Sequence, residues 1–503
     1  MRNQSRFSRL SAILLPATLI PTMAFADFLT PAPPMITLDP AAPAGSSVTA
    51  IISSGDTVDA FLFEGLPDGI GLAPAAGGGV DVFVTHEQTS VPFFGSRDFQ
   101  DASISRLTLN TTTGAVMSAS VALPPSEGFL RLCSAFMAGP AEGFSSYTLF
   151  TGEEANDIVD IPASATSYGS DPAVAPQRQA GYAVALDASS GAFTTIPGLG
   201  RLNHENTIVL PGHRKLFALL TTDDTFSAPS GQLYLYLARR ESDIWMDNGS
   251  LWAFQVTATQ HGAVDRTDPF NGANDYLDMQ PGDDWQGRFI PVPEEIARGQ
   301  TADTPQDALE RWSNENNVFQ FIRLEDLTYD RSNPRVIYFA DTGRSRIVPD
   351  PATGRMRRGP GGTTGLADNG RIFKMVLNRR GARMVDSFSI LADGDAPGSS
   401  VFVPFRHPDN MDASSNSLMV QEDDNNAKIW RRDAATGTWS AIATVLDPNG
   451  ESSGIVDASQ WFGAGSWLLN VQGHSSNVDE AVVGGVTLKR ESGQLLLLNV
   501  PGS

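Results

Sequence analysis

The chain has 503 residues, of which 41% are hydrophobic and 18% charged, a composition typical of a globular protein and unlike that of a disordered chain. Its 47 glycines and 33 prolines favour many short strands joined by turns, and its single cysteine excludes an internal disulfide or a cysteine-rich metal site. The formal net charge of −22 disfavours nucleic-acid binding, because phosphate backbones would be repelled.

Residues 1–26 predict a secretory signal peptide. Arg2, Arg6 and Arg9 precede an uncharged apolar stretch, and Ala24 and Ala26 supply the small residues of a cleavage site. No later segment is long and apolar enough to predict a membrane span. We therefore expect a periplasmic or extracellular protein whose residues 27–503 form a single domain.

Three types of strand-like segment recur along residues 27–503, each of them six times. The first type is a hydrophobic strand that ends in acids or a histidine: Val80–Glu87, Tyr147–Glu154, Lys215–Asp224, Val336–Asp341, Ser417–Asp424 and Trp467–His474. The second type follows the first and opens on small or polar residues: Ser105–Leu109, Gly181–Leu186, Gly249–Phe254, Gly370–Leu377, Ala427–Arg431 and Gly493–Leu498. The third type is short and precedes the first: Pro67–Ile70, Leu132–Ala135, Asn203–Asn206, Leu324–Leu327, Pro408–Met411 and Glu451–Gly454. This recurrence predicts an all-β fold, a six-bladed β-propeller, with an irregular β-sandwich as the alternative.

Two insertions interrupt the predicted propeller, at about residues 257–318 and 344–369. Within the first, Thr304–Trp312 predicts a short helix with Thr304 as N-cap and Pro305 in the first turn. The second is rich in glycine and arginine and predicts a solvated loop.

The positions of the acids carry the functional hypothesis. In a propeller, the inner strands and the loops at one rim converge on the central channel. The acids that we place there are Asp68, Glu87, Glu153, Glu154, Glu205, Asp223, Asp224, Glu325, Asp326, Asp341, Asp409, Glu422, Asp423 and Glu451, accompanied by Cys133, His86 and His474. So many like charges cannot all ionise together without cations. Oxygen ligands favour Ca²⁺, followed by Mg²⁺ or Mn²⁺, over softer metals. The alternative is that these acids merely occupy turns, where Asp is common.

Arginines stand two or three residues before several of these positions: Arg131, Arg201, Arg323 and Arg406. A planar guanidinium can grip two phosphate oxygens at once. We therefore predict that Arg323 and Arg406 bind substrate, and that Arg323 and Glu325 are catalytic. The alternative is that each arginine only pairs with neighbouring carboxylates. His86 and His204 offer a general base as a further hypothesis.

In this order, the segments resemble the PhoX-type alkaline phosphatase family, a group of secreted, calcium-dependent propeller phosphatases. The resemblance rests on Gly65–Gly71, Thr85–Glu87, Arg131–Ser134, Gly152–Glu154, Thr222–Asp224, Arg323–Asp326, Pro408–Asn410, Val420–Asp423, Glu451–Ile455 and Asn470–His474. It implies a cluster of iron and calcium ions that acts on phosphate monoesters, with Arg323 on phosphate. The implied metal ligands are Glu87, Glu153, Glu205, Glu325, Asp326, Asp409, Glu422 and Glu451. With Glu154 and Asp223, which lie at the ends of first-type strands, they make up the predicted ligand set.

Two departures from that family favour calcium over iron. Better-studied members carry a cysteine immediately before the paired glutamates, where this chain has Gly152, and Cys133 lies earlier in the chain. They also tend to have twin-arginine leaders, and this leader lacks the pair. The sequence thus predicts a monomeric, secreted metal-dependent phosphatase that acts on a small phosphomonoester or phosphodiester. The alternatives are a non-catalytic calcium-stabilised propeller that binds a ligand or protein partner, and another metal hydrolase such as a lactonase.

Overall fold

The structure is a computed structural model that describes residues 27–160, 177–212, 216–225, 231–268 and 271–503. The predicted signal peptide lies outside the described residues. The described chain is mostly β, which confirms the predicted class.

The first strands of the chain lie apart from the sheet that follows them. They are β1 (Ile36–Leu38), β2 (Ser47–Ser53), β3 (Thr57–Val58) and β4 (Phe61–Leu62). Strands β3 and β4 pair with each other. Strands β1 and β2 instead join sheets from the end of the chain, as described below.

Two four-stranded antiparallel sheets follow. The first contains β5 (Pro67–Pro74), β6 (Val80–His86), β8 (Ser103–Leu109) and β9 (Val116–Leu123), with β7 (Ser96–Asp98) outside it. The second contains β10 (Phe136–Ala138), β11 (Thr148–Gly152), β14 (Ala183–Asp187) and β15 (Phe193–Thr195). Strands β12 (Ile158–Asp160) and β13 (Gln177–Gln179) form a separate pair.

The middle of the chain forms one ten-stranded sheet. Its strands are β16 (His204–Val209), β17 (Phe217–Asp223), β18 (Leu233–Ala238), β19 (Ser250–Thr259), β20 (Gly262–Ala263), β21 (Trp285–Pro291), β22 (Leu324–Tyr329), β23 (Val336–Asp341), β26 (Arg371–Leu377) and β27 (Met384–Asp393). The order is β16-β17-β18-β19-β21-β27-β26-β23-β22, so β21 joins two four-stranded halves at their outer edges. Strands β24 (Ile347–Pro349) and β25 (Met356–Arg358) form a hairpin inside the second predicted insertion. The prediction of a solvated loop there was wrong for this part, because Ile347 and Met356 are buried.

The last two sheets include the N-terminal strands. One contains β28 (Pro408–Ala413), β29 (Ser417–Glu422), β30 (Lys428–Asp433) and β31 (Trp439–Val445), and β1 pairs with β31. The other contains β32 (Glu451–Asp457), β33 (Ser466–Val483) and β34 (Val486–Asn499), and β2 pairs with β34. The two ends of the chain therefore share their sheets.

The helices of the described residues are short: α1 (Glu241–Trp245), α2 (Glu294–Ala297), α3 (Pro305–Glu315) and α4 (Ser459–Phe462). Helix α3 confirms the helix predicted in the first insertion, with Thr304 at the N-cap and Pro305 in the first turn. None of the helices found in the described part of the chain has the length and apolar character that a membrane crossing requires.

One predicted strand has a different position in its sheet. We predicted Gly249–Phe254 as a second-type strand, which would be third in its sheet, but β18 holds that place and β19 lies outside it. Both strands follow a glycine, Gly231 or Gly249, so the opening residue does not distinguish them.

Aromatic packing connects the two halves of the ten-stranded sheet. Phe254 of β19 lies 5.1 Å from Phe388 of β27, and Phe319 lies 5.3 Å from Phe388, measured between ring centroids. All three rings are fully buried. The end of the first insertion is thereby fixed against the sheet.

The inner strands contact one another in a ring. Strand β5 contacts β10 and β32, β10 contacts β16, β16 contacts β22, β22 contacts β28, and β28 contacts β32. The ring brings the starts of these strands, and the acids that they carry, around one axis.

Candidate metal centre

A register shift recurs at the start of the inner strands. It falls between Pro67 and Ile70, His204 and Thr207, Leu324 and Leu327, and Pro408 and Met411. A bulge changes the direction of the side chains that it contains. In all four strands the first residue of the bulge, Asp68, Glu205, Glu325 or Asp409, lines the same cavity.

We call this space the acidic cavity; its volume is about 640 Å³. Its carboxylates are Asp68, Glu87, Asp98, Glu154, Asp157, Glu205, Glu325, Asp409, Asp423, Glu451 and Glu491. Cys133 adds a thiol, and Arg97, Arg131, Arg323, His474 and Lys489 add basic groups. The structure therefore brings together Glu87, Glu154, Glu205, Glu325, Asp409 and Glu451 from the predicted ligand set.

The acids and the thiol form four overlapping groups, each with its ligand atoms within 4.8 Å of one another. The groups are Cys133–Glu154–Glu205, Glu205–Glu325–Asp409, Asp409–Asp423–Glu451 and Asp68–Glu87–Glu451. Because consecutive groups share Glu205, Asp409 or Glu451, the potential ligands are continuous across the cavity. Such a geometry can hold more than one cation.

Two carboxylate oxygens show that these residues fit a metal. Asp68 Oδ1 and Glu205 Oε1 are buried and have no hydrogen-bond partner among the described residues. A buried carboxylate oxygen without a partner is costly unless a cation or a proton neutralises it. Both residues belong to the potential metal groups.

The electrostatics of the acidic cavity favour protonation when no cation is present. Burial, reinforced by neighbouring acids, raises the pKa values of Asp68, Glu205 and Asp409 well above their usual range. Burial and the adjacent Asp423 raise the pKa of Glu451 to about 8. Bound cations would lower these pKa values again, because they favour the ionised form of the carboxylates.

Arg323 lies at the wall of the acidic cavity with a fixed orientation. Its Nε and Nη2 donate to the two oxygens of Asp224 at 2.8 and 2.6 Å, and Nη2 lies 3.2 Å from Glu325 Oε1. Asp224 is fully buried, whereas the Arg323 side chain keeps 20% of its exposure. Although burial opposes the charge, Asp224 and Glu325 raise the arginine pKa.

His474 is the histidine that reaches the acidic cavity. Its Nδ1 contacts Glu491, which also pairs with Lys489, and its Nε2 lies 4.0 Å from Glu451. Despite burial, the neighbouring carboxylates of Glu451 and Glu491 raise the pKa of His474 to about 11.

The other two histidines considered as bases lie in sheet interiors. His86 contacts Gly65 O and Ser105 Oγ, and His204 contacts Thr221 Oγ1 and Gly200 O. Burial lowers the pKa of each to about 4. Neither ring lines the acidic cavity, so the structure does not support a general-base role for either.

Four predicted ligands lie outside the acidic cavity. Glu153 pairs with Arg178 at 2.6 Å and accepts from Leu130 N, and Glu422 accepts from Arg406 N and Trp430 Nε1. Asp223 accepts from Thr225 Oγ1, and Asp326 accepts from Met411 N. Asp326 is the second residue of its bulge and therefore faces away from Glu325. Glu153, Glu422 and Asp326 thus hold the backbone, whereas Asp223 accepts from side chains and keeps a buried Oδ2 without a partner among the described residues.

Arg406 is not placed at the acidic cavity either. Its side chain is 60% exposed and pairs with Asp424 at 3.0 Å. It does not line the cavity, which removes the geometric basis for its predicted contact with substrate.

Cys133 lies closer to the acids than its place in the sequence suggested. Its Sγ lies 3.0 Å from Glu205 Oε2, within the group that includes Glu154. At Gly152 an added Cβ would lie 2.3 Å from His204 Cβ, so a cysteine does not fit there. The thiol of this chain thus comes from the start of the second sheet.

Several lining residues were missed by the sequence analysis: Phe93, Phe94, Arg97, Gln472 and Lys489. Gln472 donates to Asp68 Oδ2 at 2.8 Å and to Glu87 Oε2 at 3.1 Å. It precedes Gly473-His474 at the end of a first-type strand, so the terminal-polar pattern could have found it. No such pattern marks Phe93 and Phe94.

The fold is a ring of antiparallel sheets around a cavity lined by carboxylates. The protein is therefore a β-protein with a candidate centre for several metal ions. The sequence profile of the family described as alkaline phosphatase PhoX matches residues 141–459. The chain belongs to this family.

The solved structures to which this chain is similar include two proteins of low sequence identity. Pseudomonas fluorescens PhoX in complex with vanadate, a transition-state analogue, is 13% identical, with a TM-score of 0.63 over 95% of this chain and 98% of that one. This likeness fits a β-propeller. Penicillium chrysogenum α-L-arabinanase with arabinobiose is 11% identical, with a TM-score of 0.39 over 90% and 98%. No curated protein sequence matches significantly.

Proposed function

We propose that this protein is a metal-dependent phosphatase whose centre is the acidic cavity. The observation that carries the proposal is the continuous set of carboxylates from Asp68 to Glu451, which includes buried oxygens that have no partner among the described residues. Membership of the PhoX family supports phosphate-ester hydrolysis as the reaction. The substrates would be small phosphomonoesters or phosphodiesters.

The donor atoms support Ca²⁺ as the main cation. Three of the four potential metal groups contain carboxylates alone, and hard oxygen donors suit Ca²⁺. The fourth contains the Cys133 thiol, and a thiolate suits a transition metal such as iron better. We propose calcium at the all-carboxylate groups and leave the thiol group for iron or a similar ion. When bound, the cations would neutralise charge that develops on the transferring phosphoryl group.

The residues of this chain supply the positioning for that chemistry. Asp224 fixes the guanidinium of Arg323 by two hydrogen bonds. The positive charge of Arg323 is therefore already in position at the cavity, and the side chain need not reorient during the reaction. The oxygen of a water molecule would become bonded to phosphorus, the ester P–O bond would break, and a proton would pass to the leaving alcohol. Arg323 would stabilise the charge on the phosphoryl oxygens.

The proposal also includes the number of blades and the location of the protein. We propose that the ten-stranded sheet counts as two blades, which gives six blades with the four other sheets that have four or five strands. The two insertions would then lie on a single domain. The basic and apolar residues 1–26 support a secreted location.

The deciding experiment measures metal content and phosphatase activity on the same purified mature protein. We expect bound calcium, hydrolysis of 4-nitrophenyl phosphate, loss of activity with EDTA and recovery with Ca²⁺. Arg323→Ala should reduce kcat by about 10²–10³-fold. Arg331→Ala is the matched control, because Arg331 also pairs with a buried aspartate at 2.6 Å but lies outside the acidic cavity.

The outcomes separate an enzyme from a binding protein. Bound calcium without hydrolysis of any phosphate ester would overturn the proposal and favour a calcium-stabilised binding protein. Activity that is indifferent to both EDTA and Arg323→Ala would place the reaction elsewhere.

A further inference from the structure

An exposed pair of phenylalanines stands at the wall of the acidic cavity. Phe93 and Phe94 both line it, together with Val91 and Leu66. Their side chains are 61% and 95% exposed, and their rings meet edge to face with centroids 4.2 Å apart. Aromatic rings thus line the cavity together with its acids and bases.

The turn that carries these rings has an unfavourable backbone. Phe94 has a φ of 47° and Gly95 a φ of 82°, and Phe93 and Ser96 exchange backbone hydrogen bonds across the turn. A left-handed φ is rare for a bulky residue such as phenylalanine. Nearly complete exposure of a large apolar side chain is a second cost. Strain of this kind concentrates at functional sites.

The rest of the loop is held firmly, so the rings are presented in a preformed position. Strand β7 pairs in parallel with Thr487–Lys489 of β34, and Thr487 N donates to Gly95 O at 3.0 Å. Buried Asp98 accepts from Thr89 N at 2.9 Å. Strained, exposed rings on an anchored loop resemble a binding surface more than a frayed turn.

We infer that Phe93 and Phe94 bind the alcohol portion of the substrate and give the enzyme a preference for phosphate esters with an aromatic leaving group. This inference rests on the proposed function. With the phosphate beside Arg323 and the acids, the organic group of the ester would extend along the cavity to the rings. Aromatic groups gain edge-to-face or offset contacts with phenylalanine that a short alkyl group lacks.

The test compares benzyl phosphate with ethyl phosphate, whose alcohols are similarly poor leaving groups. The ratio of the two kcat/KM values is measured for the wild type and for the double variant Phe93→Ala, Phe94→Ala. We expect the ratio to fall about tenfold in the variant, mainly through the KM for benzyl phosphate, with ethyl phosphate little changed. Phe402→Ala is the matched control, because Phe402 is 38% exposed and does not line the acidic cavity.

Each result decides between the two proposals. An unchanged ratio, or an equal loss for both esters, would overturn the inference and leave the proposed function intact. Loss of sedimentation with phosphatidylglycerol vesicles at an unchanged ratio would reassign the rings to a membrane surface. If the wild type hydrolyses neither ester, the proposed function fails and this inference fails with it.

Discussion

Consecutive residues of the same bulges line two different cavities, and the buried acids of these cavities differ in their hydrogen-bond partners. Glu205 and Glu325 line the acidic cavity, while the residues that follow them, Asn206 and Asp326, line a second cavity. In the second cavity Asp326 accepts from Leu327 N at 2.6 Å and from Met411 N at 2.8 Å. Asp412 there accepts from Arg331 at 2.6 Å and from Asp457 N at 2.9 Å.

The difference is one of partners rather than of acid content. Among the described residues, Asp326 and Asp412 of the second cavity have both oxygens engaged, whereas Asp68 and Glu205 of the acidic cavity each keep one buried oxygen without a partner. A carboxylate whose oxygens are already paired stabilises the fold and has little to offer a cation. Unpaired buried carboxylate oxygens therefore distinguish the acidic cavity from the second cavity, although Asp223, which lines neither, also keeps one among the described residues.

The largest effect should come from exchanging one acid in each cavity for its amide. We expect Glu205→Gln to lower the bound calcium and to reduce kcat by about 10²–10³-fold, because Glu205 belongs to two potential metal groups. Asp412→Asn should preserve the metal content and kcat of the folded protein. Elemental analysis and steady-state kinetics on both variants check this, and equal metal loss in the two would remove the distinction between the cavities.

A stability effect should follow from the paired acids. Glu153 and Arg178 are both fully buried, and removal of the arginine leaves the carboxylate without its compensating charge. We expect Arg178→Leu to lower the free energy of unfolding by about 3–5 kcal/mol. Urea denaturation measures it, with exposed Arg311→Leu as control, because the Arg311 pair with Asp303 is open to solvent. A similar loss in both variants would argue against a special role of the buried pair.

The pH dependence of the metal-free protein should have an unusual sign. The pKa of Glu451 rises from 4.5 to about 8 in the folded state, because of burial and of Asp423. The folded protein then holds more protons than the unfolded chain between these values, so its stability falls as pH rises through this window. Calcium should stabilise more strongly at the upper end, since ions replace these protons.

Thermal unfolding in EDTA and in Ca²⁺, at pH 5 and pH 8, measures this dependence. Glu451→Gln should flatten the fall in the melting temperature of the metal-free protein, whereas Glu480→Gln, on the exposed part of β33, should not. A metal-free protein that becomes more stable from pH 5 to pH 8 would contradict the raised pKa values.

The smallest expected effect concerns the strained turn. Asparagine tolerates a left-handed φ better than phenylalanine, so Phe94→Asn should raise the free energy of unfolding by about 1 kcal/mol. Phe93→Asn, at a residue without positive φ, should bring no such gain. Chemical denaturation of both variants provides the comparison, and equal changes would show that exposure rather than backbone strain dominates.

Much of the fold could be predicted because each sheet repeats one hydrophobic pattern. Strand β23 has the bounds that the sequence predicted, Val336–Asp341, and β29 begins at the predicted Ser417. The sequence could not predict that β18, and not β19, is the third strand of its sheet, since strand order depends on pairing across turns. The use of β2 to complete the last sheet is likewise a long-range pairing, with Ser47 beside Asn499.

The residue types of the candidate site could be predicted from the sequence, but the cavity that each side chain faces could not. The cluster of Glu325 and Asp326 was visible in the sequence, yet the bulge sends the two side chains to different cavities. Glu153 and Glu154 differ for a related reason: Glu153 meets Arg178, whose contribution lies beyond any local pattern, whereas Glu154 lines the cavity. Periodicity identifies the strand, and only the three-dimensional partners identify the role of each acid.

The potential metal group of Asp68, Glu87 and Glu451 joins the first sheet to the last, where strand β2 has already crossed over to pair with β34. An ion bound at that group would link the two ends of the chain. This link could form only after synthesis of nearly the whole polypeptide, so this group would receive its ion late, whereas the group of Cys133, Glu154 and Glu205 draws only on earlier residues.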